Sequence, residues 1–320
     1  MFEFNEKGLK ILGTSLWLDA KKKVPLSFIS HGHADHITKH EKIVATPATI
    51  SFYKQRCGKA ETIPLEFGVP YQLDDLEIEL FPAGHILGSA QILVRNDGMR
   101  LVYTGDINPK DSLTAEPMEI READILIMES MFGLPHYRFP ARWQIIEKLV
   151  KFIDLCFIEG IVPVVMSYAL GKSQEVLKIL SDLDYQISVH RSIYNMTKIY
   201  EQHGITFKNW KLYEGEDLRQ RVMMIPPFIR DWMEKRYRGA IRKVVVTGWA
   251  VDRSAKYRYG ADEAIPLSDH ADFDGLLNYV KRVSPKKVYV THGFDEFAHY
   301  LRKEGFDAEP LKPASQISLF

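Results

Sequence analysis

Residues 31–36 of the 320-residue chain read His-Gly-His-Ala-Asp-His, three histidines and an aspartate within six positions. They follow directly on the apolar run Leu26, Ser27, Phe28, Ile29. Imidazole and carboxylate at that density are donors for zinc, or for another borderline divalent ion such as manganese or iron. Solvated surface polarity has no use for the spacing. His85, Asp106 and His292 each follow an apolar or β-rich stretch and sit at or near a loop. Donors at strand ends along one rim of a sheet can converge on a single point, because the scaffold holds them rigidly. Two ions about 3.5–4 Å apart need roughly seven or eight ligands, one of them a bridging carboxylate. His31, His33, Asp35, His36, His85, Asp106 and His292 supply seven, with Asp106 the natural bridge.

The elements that must carry these residues are legible in outline. Strand patterns run over 42–46, 76–81, 91–95, 99–104 and 123–128, and Asp97-Gly98 between two of them is a hairpin signal. The texture then changes. A helix is expected over 141–159, ending at Gly160, and strands and helices alternate through a strand at 243–247. That alternation reads as a β/α module with a parallel sheet. A helix at 273–283, a strand at 287–291 and a helix near 294–304 close the chain. The expected organisation is a body of residues 1–140 and 251–320 with an inserted α/β subdomain at 141–250.

Composition narrows the class. At 46% hydrophobic residues the chain can bury a sizeable core, and its formal net charge of zero means that any polyanion-binding surface must be local. Cys57 and Cys156 form no metal-knuckle pattern and suit a reducing cytoplasm. No apolar run approaches the ~18 residues of a membrane span, so no membrane partner is expected.

The motifs "HGHADH", "GHILGSAQ", "YTGD", "SDHAD" and "VTHG" occur in the order seen in the metallo-β-lactamase fold. The match is closest to the β-CASP branch, whose members process nucleic acids and carry an α/β cap inserted in the metal-binding body. More narrowly, "ATPAT", "ESMFGLPHYRFP", "YALGKSQEVL", "VTGWA" and "PLSDHADF" resemble DNA ligase-associated exonucleases, relatives of Artemis-type DNA nucleases and messenger-RNA 3′-end processing endonucleases. The resemblance implies an α/β, αββα sandwich with a β-CASP-like cap, and functional association with a DNA ligase or helicase. It gives one ion His31, His33 and His85, the other Asp35, His36 and His292, and makes Asp106 the bridge. Glu129 matches the acidic first motif of the branch, His270 the second and His292 the third. A histidine at the third motif is typical of RNA enzymes, whereas Gly248-Trp249 leans towards the DNA group.

Two ions sharing a site lower the pKa of water towards neutrality and offset charge on a phosphodiester. They leave the departing sugar oxygen without a proton, and His270, surplus to coordination, fits that task. Glu129 would orient its second nitrogen; a strand-end carboxylate capping a neighbouring loop is the plainer reading. Ser167, Tyr168, Gly171 and Lys172 lie between a strand and a helix and read as a phosphate grip, or as an ordinary strand–loop–helix joint. From Arg219 to Arg258, eleven Lys/Arg face Asp231, Glu234 and Asp252, a net of +8. Trp249 and Arg253 fall within this run, as do Trp232, Tyr237, Tyr257 and Tyr259, aromatics that could stack on bases. The expected activity is a metal-dependent DNA exonuclease in repair. RNA processing is the alternative, and a thioesterase or lactonase a second one, since the fold hosts both.

Overall fold

The computed structural model describes residues 1–237 and 239–313. They form two compact units. The first comprises Met1–Asp111, Ala115–Tyr137 and the described residues from His270 on; the second comprises Ser112–Thr114 and Arg138–Asp269.

In the first unit, β1 (Phe2–Asn5), β2 (Gly8–Ile11), β3 (Leu16–Leu18), β4 (Leu26–Phe28), β5 (Lys42–Ala45) and β6 (Glu61–Pro64) form one sheet in sequence order. Helix α1 (Pro47–Cys57) lies between β5 and β6, capped by Thr46, whose side chain accepts from the Thr49 amide. A second sheet begins with β7 (Tyr71–Leu73), β8 (Leu76–Pro82), β9 (Ala90–Asn96), β10 (Met99–Tyr103) and β11 (Ile125–Ser130). The β9–β10 hairpin turns at Asp97 and Gly98 with both φ angles positive, at 48° and 77°, which is why Asp-Gly stands there.

The second unit follows: α2 (Arg142–Ile158), β12 (Val162–Met166), α3 (Lys172–Asp182), β13 (Ile187–Val189), α4 (Arg191–Gln202), β14 (Trp210–Leu212), β15 (Val222–Ile225), α5 (Arg230–Tyr237), β16 (Ile241–Val246), α6 (Ala255–Tyr259) and β17 (Glu263–Ile265). Its sheet runs β14-β13-β15-β12-β16-β17, and every pairing is parallel. Because β17 pairs with β16, this unit runs to Asp269 rather than ending at 250 as the sequence reading has it. The chain then returns to the first unit with α7 (Phe273–Val283), β18 (Lys287–Gly293), α8 (Phe297–Lys303) and β19 (Ala308–Pro310).

Strand periodicity makes four layers of the first unit. Ile78, Leu80, Ile92, Val94, Leu101, Tyr103 and Ile127 point to the first sheet and pack with Leu9, Leu16, Phe28 and Val44. Their neighbours Phe81, Leu93, Val102, Leu126 and Met128 point the other way, onto α7 and α8. The outer face of the first sheet is covered by α1 through Ile43, Ala45, Ile50 and Tyr53. Helix, sheet, sheet, helix is the order of layers. In the second sheet β8, β10, β11 and β18 all run the same way, so their carboxyl ends share one rim.

Candidate metal centre

Each donor expected from the sequence sits at or just past the carboxyl end of a strand of one sheet or the other. His31, His33, Asp35 and His36 follow β4, His85 follows β8, Asp106 follows β10, and His292 is the last residue but one of β18. Two glycines permit the approach of these loops. A Cβ on Gly105 would lie 2.6 Å from that of Ser30, so only glycine lets the Asp106 loop close on the His31 loop. A Cβ on Gly293 would fall 2.1 Å from the Ser130 carbonyl, and the preceding His292 is held at φ 49°, a conformation that tertiary contacts must enforce.

Among the described residues Asp106 belongs to three groups of donors: with His31, His33 and His85; with His36 and His292; and with Glu129 and His270. One oxygen, Oδ2 of Asp106, lies 3.4 Å from His31 Nε2, 3.5 Å from His36 Nε2 and 3.7 Å from His85 Nε2. His33 Nδ1 lies 3.1 Å from His31 Nε2 and 3.0 Å from His85 Nε2. The edge of a tetrahedron with bonds of 2.0–2.1 Å is about 3.3 Å, so these spacings suit a divalent ion. The other oxygen of Asp106 is buried and has no hydrogen-bond partner among the described residues, and a carboxylate left in that state is costly unless something positive faces it. The residues fit a divalent metal. Asp35 is less convergent: its side chain is 72% exposed and its Oδ2 comes to 3.8 Å of His36 Nε2.

One participant escaped the sequence reading. Asp19, directly after β3, is buried and takes His36 Nδ1 at 2.7 Å, the Tyr103 hydroxyl at 2.9 Å, and both the amide and the hydroxyl of Ser30, at 2.7 and 2.6 Å. A carboxylate on the far nitrogen of a ligating imidazole fixes its tautomer and aim. Its only sequence signal is an aspartate ending the apolar run Leu-Trp-Leu. Glu129 and His270 also meet. The Glu129 carboxylate accepts from the Ile107 amide at 2.6 Å, and its two oxygens lie 3.1 and 3.2 Å from His270 Nδ1. The His270 ring centroid is 4.5 Å from that of His85.

Burial sets the protonation of the metal-stripped chain. It pulls His31 well below the usual imidazole range and His292 down to about 4. Burial also opposes a charge on His36, but the carboxylates of Asp106 and Asp19 outweigh it and push His36 up to about 10. Asp106 is raised, foremost by burial. Ligation needs neutral imidazole and ionised carboxylate, so bound metal must displace these protons. Adding zinc to chelator-stripped protein near pH 7 should therefore release about one or more protons per chain, read with an indicator in weak buffer, and uptake should weaken as pH falls. Loading without proton release would show that His36 and Asp106 hold none.

Comparison with known proteins settles the family. Residues 263–310 match the model described as the Zn-dependent metallo-hydrolase RNA specificity domain. The chain is 38% identical over 316 residues to a probable DNA ligase of Opitutus terrae, across 98% of this chain and 31% of that protein. It is 25% identical to an RNase J-like protein of Methanocaldococcus jannaschii, across 85% of this chain and 82% of that one. It is also 25% identical to the DNA cross-link repair protein SNM1 of Arabidopsis thaliana, across 82% and 60%. The chain belongs to the β-CASP metallo-β-lactamase nucleases. It spans about a third of the length of the Opitutus protein.

In β-CASP terms the second unit is the cap, and it carries the residues expected to bind substrate. Ser167, Tyr168, Gly171 and Lys172 follow β12, and Trp249 and Arg253 follow the neighbouring β16. Lys172 is buried and ion-paired with Asp269, the arrangement a buried ammonium requires. The Gly171 amide donates to Gln174 Oε1 and the Ser173 amide to the Tyr168 carbonyl, so donors a phosphate would use are engaged. These contacts are the ones an ordinary strand–loop–helix joint makes. The local charge is also smaller than counted. Arg219 pairs with Asp217, Arg242 with Glu159, Arg230 with Asp231 and Arg258 with Asp252. Asp217 and Glu159 lie outside the 219–258 window. Arg238 of that run lies outside the described residues. Among the described residues no helix is long and apolar enough to cross a membrane.

Proposed function

We propose that this chain hydrolyses phosphodiester bonds of DNA from an end, in repair, as a cytoplasmic enzyme working beside a DNA ligase. The observation that carries the chemistry is the Glu129–His270 pair set against the Asp106 cluster. His31, His33 and His85 would hold one divalent ion, His36, His292 and Asp35 a second, and Asp106 both; zinc is favoured, with manganese or iron as alternatives. Bound ions supply water of lowered pKa and charge to offset that of the phosphate. Glu129 holds His270 by Nδ1, which favours the charged imidazolium and leaves the Nε2 proton for the departing sugar oxygen. Asp19 keeps His36 aimed at the cluster.

DNA is favoured because the relative matched over nearly the whole chain is named for a DNA ligase and another for DNA cross-link repair. RNA is the second reading, favoured by the match of residues 263–310 to an RNA specificity domain. End-labelled DNA and RNA oligomers, incubated with zinc- or manganese-loaded protein, separate them. DNA shortened progressively from one end is expected. Faster cleavage of RNA would reverse the assignment, and hydrolysis of thioesters or lactones with both nucleic acids intact would end it.

A further inference from the structure

In the second unit's sheet β15, β12 and β16 are neighbours, and each is followed at its carboxyl end by a large aromatic residue. Tyr168 comes two residues after β12, Phe228 three after β15 and Trp249 three after β16. All three strands are parallel, so these loops leave by one edge, rooted about 4.8 Å apart from strand to strand. The carboxyl edge of an open parallel sheet is where such sheets take their ligands. Phe228 is 79% exposed and Tyr168 50%, and Trp249 is half-buried. A phenyl ring that far in water contributes little to the core, and burial against a partner would be favourable. A cation accompanies the row: Arg253 is exposed just beyond Trp249.

Exposed aromatic faces with a cation beside them match a polyanion that offers flat apolar rings, which is nucleic acid with its bases unpaired. A duplex keeps those faces stacked inside. We infer that Tyr168, Phe228 and Trp249 form a stacking row for unpaired bases, so that the second unit takes single-stranded nucleic acid or a frayed end in preference to intact duplex. This rests on the reading of the substrate as nucleic acid.

The test uses the full metal-loaded chain and phosphorothioate-linked DNA, which resists hydrolysis, in three forms: single strand, blunt duplex and a strand of abasic sites. Fluorescence anisotropy should rank single strand tightest. Phe228→Ala and Tyr168→Ala should each weaken it roughly 5–150-fold, the range that stacking of one base on an aromatic residue spans. Phe228→Trp should restore it, and binding of duplex and abasic strand should not move. If both Ala variants bind the single strand as the parent does, the stacking row is overturned while the nuclease reading stands. A parent that binds none of the three forms overturns both.

Discussion

With His270 replaced by Ala, the protein should keep its divalent metals and lose roughly 10²–10⁴-fold in cleavage rate, the usual worth of a positioned general acid. The expectation follows from where the ring sits. Its Nδ1 is 3.1 Å from Glu129 Oε1, so its proton and orientation are set by a carboxylate. Its ring lies against that of His85, beside the cluster, while Asp106 already has His31, His36 and His85 around its Oδ2. A phosphodiester with a nitrophenyl leaving group needs little protonation, so His270→Ala should hydrolyse it almost as the parent does. Equal losses on both substrates with metals retained would make His270 a positioning residue for substrate. Loss of an ion on elemental analysis would make it a ligand.

What could be read from the residues alone depended on how local each signal was. Four donors in six positions need no tertiary context, and the strand-end placement of His85, Asp106 and His292 followed from the apolar runs before them. Asp19 could not be found that way, because its meaning lies in His36, 17 positions on, and in Tyr103, 84 positions on. Strands of three or four residues such as β3, β6 and β7 are too short for a period of two to show. Helix α1 hid for another reason. It buries Ala48, Thr49, Ile50, Phe52 and Tyr53 in near succession, with no amphipathic stripe, and its only signal was the Thr-Pro start. The charge of +8 over 219–258 is an overcount because a window in sequence does not contain its neighbours in space. Asp217 and Glu159 neutralise two of its arginines from outside.

Replacing Asp19 by Asn should lower metal affinity 10- to 100-fold, as loss of a ligand's outer carboxylate generally does, while leaving the chain folded. Asn tolerates the left-handed backbone found at this position, where φ is 42°, so the substitution adds no strain. It can still accept from the Ser30 amide through one oxygen. What it loses is the second oxygen, Oδ2, which takes His36 Nδ1, the Tyr103 hydroxyl and the Ser30 hydroxyl together. An amide nitrogen in that place is a donor facing three donors, so His36 is no longer held with Nε2 towards Asp106. Asp19→Ala goes further, stranding these buried partners, and should destabilise the fold by about 3–5 kcal/mol. Competition with a chromophoric chelator reads the affinity, and circular dichroism checks the fold. Activity of Asp19→Asn should return as metal is raised, because the fault lies in occupancy. Unchanged affinity would reduce Asp19 to a packing role, and weak activity at saturating metal would instead give it a part in the chemistry.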